Sequence, residues 1–358
     1  MILAKKALVA MSGGVDSSVT ALRMLEQGYD CLGMTMSLFD KAELGLPVEP
    51  GCCTSEDILD AQAVCNRLGM KHQVVDFATR FRGAVINPFL EAYAHGRTPN
   101  PCICCNRYLK FEALFQRAQE LGYSYVATGH YARVRFDESS GRYLLLKGVD
   151  RQKDQSYVLY SLTQEQLAHT CFPLGELSKE EVRALAVEHG FINAHKHDSQ
   201  DICFIPDGKY AEFIEAQLGK FPPGNFVDTH GKVLGRHKGI IHYTIGQRKG
   251  LGLALPQPMY VQALDVPGNR VILATNEELF SRHVLAKDIN LISCPQLTGP
   301  TRLKARIRYH HVEQWATVTQ PEEDLLEVEF DEPQRAITPG QALVLYDGDL
   351  VVGGGTIV

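Results

Sequence analysis

Ala7-Leu8-Val9-Ala10-Met11-Ser12-Gly13-Gly14-Val15-Asp16-Ser17-Ser18 passes from an apolar run into small and polar residues, and a helical pattern follows to residue 27. That order reads as strand, tight loop and helix N-terminus. Glycines and serines let backbone N–H groups come close to phosphate oxygens, and the positive end of the following helix faces the same anion. The loop is a phosphate-binding candidate; the plain alternative is a Gly/Ser turn with no ligand. No Gly-Lys-Ser/Thr follows and Gly-x-Gly-x-x-Gly is absent, so the loop is neither Walker-type nor a dinucleotide fingerprint, and it brings no lysine to the phosphate.

Working outward, apolar runs at 31–38, 74–75 and 125–127 alternate with helical patterns over 55–68, 83–94 and 108–121. The first of these helices has Ser55 as its expected cap, with Glu56 and Asp57 in the first turn. Alternating strands and helices predict an α/β fold, a doubly wound parallel sheet with ligands at the carboxyl ends of its strands. Residues 96–107 hold Pro99 and Pro101 and no acid, which argues against helix or central strand and leaves a functional loop. At 127–133 a strand ends in Thr128-Gly129-His130, where backbone can approach a nucleotide or simply turn. A hairpin is expected at 141–148 and a capped helix at 178–189. After about residue 219 helical periods vanish and short alternating stretches recur at 303–309, 316–319, 326–330 and 342–346, an all-β grammar.

With 358 residues, 45% apolar and 22% charged, the chain has room for two or three domains of an ordinary soluble protein. No run approaches the length of a membrane span and the first residues show no signal-peptide pattern, so a cytoplasmic location without membrane association is expected. A formal charge of −6 argues against DNA as a partner. Basic residues nevertheless cluster: Lys232, Arg236, Lys238, Arg248 and Lys249 across 229–264, and Arg302, Lys304, Arg306 and Arg308 across 301–312, both without an acid. Such stripes suit one polyanion held in one orientation, or solvated strand faces. Thr244 to Gly252, basic and glycine-rich, would lie well against a phosphate backbone.

Cys102, Cys104 and Cys105 stand together in the proline loop, and Cys203 is the other thiol of the ten in a polar, motif-like setting. Three chemistries fit. A zinc site would take Cys102, Cys105, Cys203 and a histidine. A sulfur-transfer or redox pair needs two thiols that can meet, one of them favoured as thiolate by Arg97, Arg107 or Lys110. An iron–sulfur cluster on three cysteines is the third. Cys31, Cys65, Cys171 and Cys294 read as buried and inert, while Cys52, Cys53 and Cys104 have no assigned role.

Ser12 to Ser18 resembles the PP-loop of the ATP pyrophosphatases. Together with Gly96 to Asn106, Ala127 to Tyr131, Lys153 to Tyr157, Ile202-Cys203-Phe204, Thr244 to Gly252 and Thr338-Pro339-Gly340-Gln341, it resembles the tRNA-specific 2-thiouridylases over nearly the whole chain. The resemblance implies a PP-loop domain over 1–218 with a helical adaptor at about 163–190, a central β domain over 219–281 and a β-barrel over 282–358. It implies that Mg2+ and ATP are used to adenylate the 2-carbonyl of the wobble uridine, which is then exchanged for sulfur. In its terms Ala10, Met11, Ser12, Gly13, Gly14, Val15, Asp16, Ser17, Met36 and Gly129 bind ATP, with Asp16 helping to hold magnesium. Asn100, Pro101 and Cys102 contact the target base. Lys153, Asp154, Gln155, Arg308 and Tyr309 meet tRNA, with His130 and Gln341 in support.

Cys105 matches the nucleophile and Cys203 the persulfide carrier. The implied partners are tRNA (the Lys, Glu and Gln acceptors) and a sulfur donor, a cysteine desulfurase or relay protein; the expected form is a monomer. One departure stands out: the family loop Asn-Pro-Asp-x-x-Cys-Asn has Cys102 in place of Asp. Three thiols are then available, as in related enzymes that hold a four-iron four-sulfur cluster on Cys102, Cys105 and Cys203 equivalents, and that reading stays open beside the persulfide. Rival functions are a PP-loop enzyme adenylating a small substrate and a non-catalytic tRNA-binding module.

Overall fold

The computed structural model describes residues 5–39, 53–198, 202–205 and 208–358. The strand β1 (Lys6–Ala10) leads through the small-residue loop into helix α1 (Val15–Glu26), as the sequence predicts. Then come β2 (Asp30–Ser37), helix α2 (Cys53–Arg67), β3 (Lys71–Asp76), β4 (Tyr125–Ala127), the hairpin β5 (Ala132–Asp137) and β6 (Arg142–Lys147), and the short β7 (Thr170–Cys171). Among the described residues β3-β2-β1-β4-β7 form one parallel sheet. Ala7, Leu8 and Val9 of the central strand are fully buried, because helices cover both faces and every side chain must be apolar.

Several local expectations are corrected. Helix α2 begins at Cys53, two residues before the expected Ser55 cap. The helix expected over 83–94 begins at Ala78 and contains a π-helical stretch, Arg82–Ile86. Residues 101–104 are helical, not loop. Pro101 sits in the first turn, where the missing N–H costs nothing, and Asn100 caps that turn, its side chain accepting from Cys102 N at 3.1 Å. β7 adds an edge strand of two residues, too short for a sequence period to announce. Cys31 and Cys65 are buried as expected, but Cys171 and Cys294 are only partly so. Cys52 and the Cys53 side chain lie outside the described residues.

β8 (Gly224–Asp228), β9 (Val233–His237), β10 (Tyr260–Asp265) and β11 (Arg270–Ala274) make a second sheet in the order β10-β11-β8-β9. Its inner residues Phe226, Val261, Val271 and Leu273 share one core with Phe81, Phe89 and Tyr93 of the first region. The chain then forms β12 (Phe280–Leu291), β13 (Thr301–Arg306), β14 (Gln314–Glu322), β15 (Leu325–Arg335), β16 (Ala342–Asp347) and β17 (Leu350–Ile357). These run β12-β15-β14-β13-β16-β17, and β12 pairs again with β17, which closes a barrel. Val284, Leu303, Val318, Val328, Phe330 and Leu345 fill it. The strand expected to reach 309 stops at Arg306. β17 also pairs with β6, so the hairpin of the first region is stitched onto the barrel. No helix among the described residues is long and apolar enough to cross a membrane.

Candidate active site

The loop after β1 is held in shape by its own side chains and by two distant ones. Gly13 has φ +74°, and a Cβ there would lie 2.3 Å from the Asp57 carbonyl oxygen, so only glycine fits. Ser12 N donates to Ser17 Oγ at 3.2 Å, and the Ser17 and Ser18 hydroxyls donate to Gly14 O at 2.9 and 3.1 Å. Asn193 Nδ2 donates to Gly13 O at 2.9 Å, and Lys196, paired with Asp57 and Asp60 at 2.7 Å each, braces the same turn. No side chain caps the start of α1, which leaves its first N–H groups for an anion. Ala10, Met36 and Val75, near the carboxyl ends of β1, β2 and β3, pack against one apolar cluster.

Asp16, in the first turn of α1, is engaged on both oxygens. Lys179 Nζ lies 2.7 and 2.9 Å from them, and the Tyr131 hydroxyl donates at 2.9 Å. Gly129 passes so close that a Cβ would come within 3.0 Å of Asp16. Next in the chain, His130 is buried between Phe111 and Phe172, with its Nδ1 2.7 Å from the Thr128 hydroxyl. Burial, and then the Lys110 charge, hold its pKa well below the usual histidine value, so the ring is neutral.

Cys105 opens a π-helical segment, Cys105–Ala113, a wide helix often found at functional sites. Lys110, five residues on, falls one turn of that helix away. It is the cation that Cys102, Cys105 and Cys203 share: each thiol is pushed up by burial and pulled back by Lys110. Cys203 reaches about 12, raised by burial first and then by Cys105 and Cys102. Cys102 and Cys203 keep one edge open to solvent although protein crowds the rest. Cys203 sits on a turn in which Ile205 N donates to Ile202 O at 2.8 Å. The next side chain, Phe204, is 1% exposed and meets Phe81, Phe89 and Phe213, which pins the thiol's position.

The expected electrostatic partners are corrected here. Arg107 is taken by Asp288 at 3.0 Å and faces Cys104, while the cation that acts on Cys102, Cys105 and Cys203 is Lys110. Among the described residues no group of three or more His, Cys, Asp or Glu side chains is disposed to hold a metal ion. In this arrangement Cys102, Cys105 and Cys203 do not form a preassembled metal site.

The expected RNA-facing residues are found in different states. Lys153 is part-exposed and paired with Asp198 at 2.8 Å. Asp154 is buried: its carboxylate accepts from Gly148 N, Ser156 N and the Ser156 hydroxyl, and Arg306 lies at 3.6 Å. Gln155 Oε1 accepts from Tyr131 N at 3.1 Å. Tyr309, from the barrel, donates to Asp154 O at 3.4 Å and feels the Cys102 thiol. Gln341 Nε2 donates to Thr98 O at 2.7 Å, and Thr98 N to Pro339 O at 2.9 Å, so a barrel loop clamps the segment that ends in Asn100-Pro101-Cys102. Arg308, Arg248 and Lys249 are exposed. The stripe at 301–312 is less basic than it reads. Acids meet it, with Asp331 bidentate to Arg302, and Asp154 together with Glu313, the residue just past the stripe, on Arg306.

Family models match the chain in three consecutive stretches: a tRNA methyl transferase HUP domain over residues 5–207, a tRNA methyl transferase PRC-barrel domain over 211–275 and an aminomethyltransferase beta-barrel domain over 281–357. A tRNA-specific 2-thiouridylase of Acetivibrio thermocellus is 51% identical over 355 residues, 99% of each chain. The chain belongs to the tRNA-specific 2-thiouridylase family. Members from Clostridioides difficile and Carboxydothermus hydrogenoformans are 48% and 50% identical, over 100% and 99% of this chain and 99% and 97% of theirs.

Within that family setting, sequence reasoning missed Lys179, Asn193 and Lys196. Lys179 follows the Ser178 cap of a helix, Lys179–Glu188, and reads there as one more surface lysine. Its burial at 8% exposed, unusual for a lysine, shows only in the fold. Lys110 is one of three candidate cations, and the fold singles it out by pairing Arg107 with Asp288.

Proposed function

We propose that the protein is an ATP-dependent tRNA sulfurtransferase that makes 2-thiouridine at the wobble position. The observation that carries this reading is end-to-end identity near 50% with proteins named 2-thiouridylase. The site supports it: three thiols share one cation, and that cation also acts on His130, whose neighbour Gly129 touches Asp16 of the phosphate loop. Thiols that can meet are suited to carrying and releasing sulfur.

ATP enters with magnesium as substrate. The loop Ser12–Ser17 and the start of α1 receive its phosphates, Asp16 meets the metal, and Ala10, Met36 and Gly129 line the nucleotide. The flipped uracil, gripped by Asn100, Pro101 and Cys102, attacks the α-phosphorus through its 2-carbonyl oxygen, and pyrophosphate leaves. Adenylation turns a poor leaving group into a good one, and the loop's N–H groups stabilise the departing charge. The terminal sulfur of a Cys203 persulfide, loaded by a cysteine desulfurase or relay protein, attacks C2 and displaces AMP. The Cys105 thiolate then attacks Cys203 Sγ, expels 2-thiouridine and leaves a Cys105–Cys203 disulfide, which a dithiol reductant reopens. Lys153, Gln155, Arg308 and Tyr309 hold the anticodon arm, and Arg248 and Lys249 add backbone contacts. The enzyme acts as a cytoplasmic monomer, and the Lys, Glu and Gln tRNAs are its substrates.

Cys203→Ser tests the scheme. The expected result is no thiolation with tRNA affinity within about twofold of wild type, since a surface thiol-to-hydroxyl change leaves the RNA face intact. A Cys203→Ser enzyme that still thiolates rules out Cys203 as carrier.

A further inference from the structure

A chain of ion pairs links Lys153 to Asp16 through two side chains. Lys153 Nζ lies 2.8 Å from Asp198, and Asp198 lies 2.8 Å from Lys179, which spans both oxygens of Asp16. Arg183 adds a third cation to Asp198 at 3.0 Å. Although burial alone would raise it, hydrogen bonds and charge from Lys153 and Lys179 hold the Asp198 carboxyl down at about 2. A second route runs beside the first. Gln155 Oε1 accepts from Tyr131 N, Gln155 N donates to Tyr131 O, and the Tyr131 hydroxyl donates to Asp16. The two ends differ in access: the Lys153 side chain is 41% exposed, that of Lys179 only 10%.

We infer that Asp198 and Lys179 are positioning residues that couple RNA binding to the ATP loop, with Lys179 held on Asp16 until an RNA phosphate takes Lys153. This inference rests on the reading of Lys153 as an RNA contact and of Asp16 as the carboxylate that meets the metal carried with ATP. Lys179 is divided between two carboxylates. When an RNA phosphate draws Lys153 away, Asp198 loses one of its three cations and claims a larger share of Lys179. Asp16 then loses its ammonium and is free for magnesium. In the absence of RNA the same ammonium competes with the metal for Asp16, so ATP is bound less well when there is nothing to adenylate. Coupling between two sites is reciprocal, so magnesium and nucleotide must tighten RNA binding by the same factor.

The test uses the full chain, an unmodified tRNA transcript and the magnesium complex of α,β-methylene ATP, which cannot be cleaved at the reacting bond. tRNA affinity is measured with and without the nucleotide, and nucleotide affinity with and without tRNA. For wild type we expect the two ratios to agree and to be about fivefold or more, the lower end of ordinary allosteric coupling. In Asp198→Asn both ratios fall to about one while each ligand alone still binds. Should that variant bind neither ligand, Lys153→Gln, altered at a part-exposed position, carries the test. It is expected to weaken tRNA alone and to abolish the coupling. Undiminished coupling in Asp198→Asn, or in a Lys153→Gln that has lost tRNA affinity, overturns the relay while leaving Lys153 on the RNA. Unchanged tRNA affinity in Lys153→Gln overturns the underlying reading of Lys153, and the relay with it.

Discussion

Three thiols at one site all have their pKa raised, and this sets how the enzyme responds to pH. Cys102 and Cys105 lie above the ordinary thiol value and Cys203 at about 12, in each case with burial as the first cause, so all are protonated near neutrality. The attacking species is the thiolate, and below its pKa the thiolate fraction grows roughly tenfold per pH unit. With persulfide loaded on Cys203, single-turnover release of product should therefore climb with a slope near one from about pH 6.5 to 8.5, without a plateau. Lys110→Gln removes the charge that opposes burial and moves the Cys105 pKa further up. Its rate at pH 7.5 should fall at least about tenfold, and Cys105 alkylation by iodoacetamide should slow with it. A wild-type plateau below pH 8, or a Lys110→Gln enzyme as fast as wild type, contradicts this role for Lys110.

The loop after β1 was legible in the sequence because its chemistry is local: a Gly at positive φ, hydroxyls that close on their own turn, and an acid in the first turn of α1. The thiol segment was legible in composition but not in form. Two prolines argued against helix, yet Pro101 at a first turn with Asn100 as cap is a helix start, and only the observed backbone distinguishes the two. The clamp on that segment comes from the barrel, more than two hundred residues away, which no local pattern reveals. Gly340 shows how tight it is: φ is +91°, and a Cβ would stand 3.1 Å from both Arg97 Cβ and Thr98 N. Gly340→Ala should push residues 97–101 away while the barrel stays folded. We expect kcat for thiolation to drop at least about tenfold, as for other small misplacements of a reacting group, with an unchanged circular dichroism spectrum. Normal kcat in Gly340→Ala means that the clamp does not set the position of Asn100 and Cys102.

Across the whole molecule the three regions are joined by core and by sheet. Phe204, next to Cys203, lies in the core shared with the second sheet, and β6 of the hairpin pairs with β17 of the barrel. Strand and helix periods predicted the α/β sheet and the all-β remainder, because periodicity reports which faces are buried. Which charges neutralise each other was not legible: Arg302 and Arg306 read as a free basic stripe, and meet Asp331 and Asp154 in space. Net charge along a sequence says little about partners brought from other strands. The same joining fixes the loop after β1, the cysteine segment and the barrel loop at 338–341 relative to one another, although they are far apart in sequence. The most direct test is mass spectrometry of tRNA nucleosides after incubation with the purified protein, ATP, magnesium and a persulfide-generating desulfurase. The account predicts 2-thiouridine and AMP formed in equal amounts, both requiring tRNA. AMP without 2-thiouridine, or neither product, contradicts it.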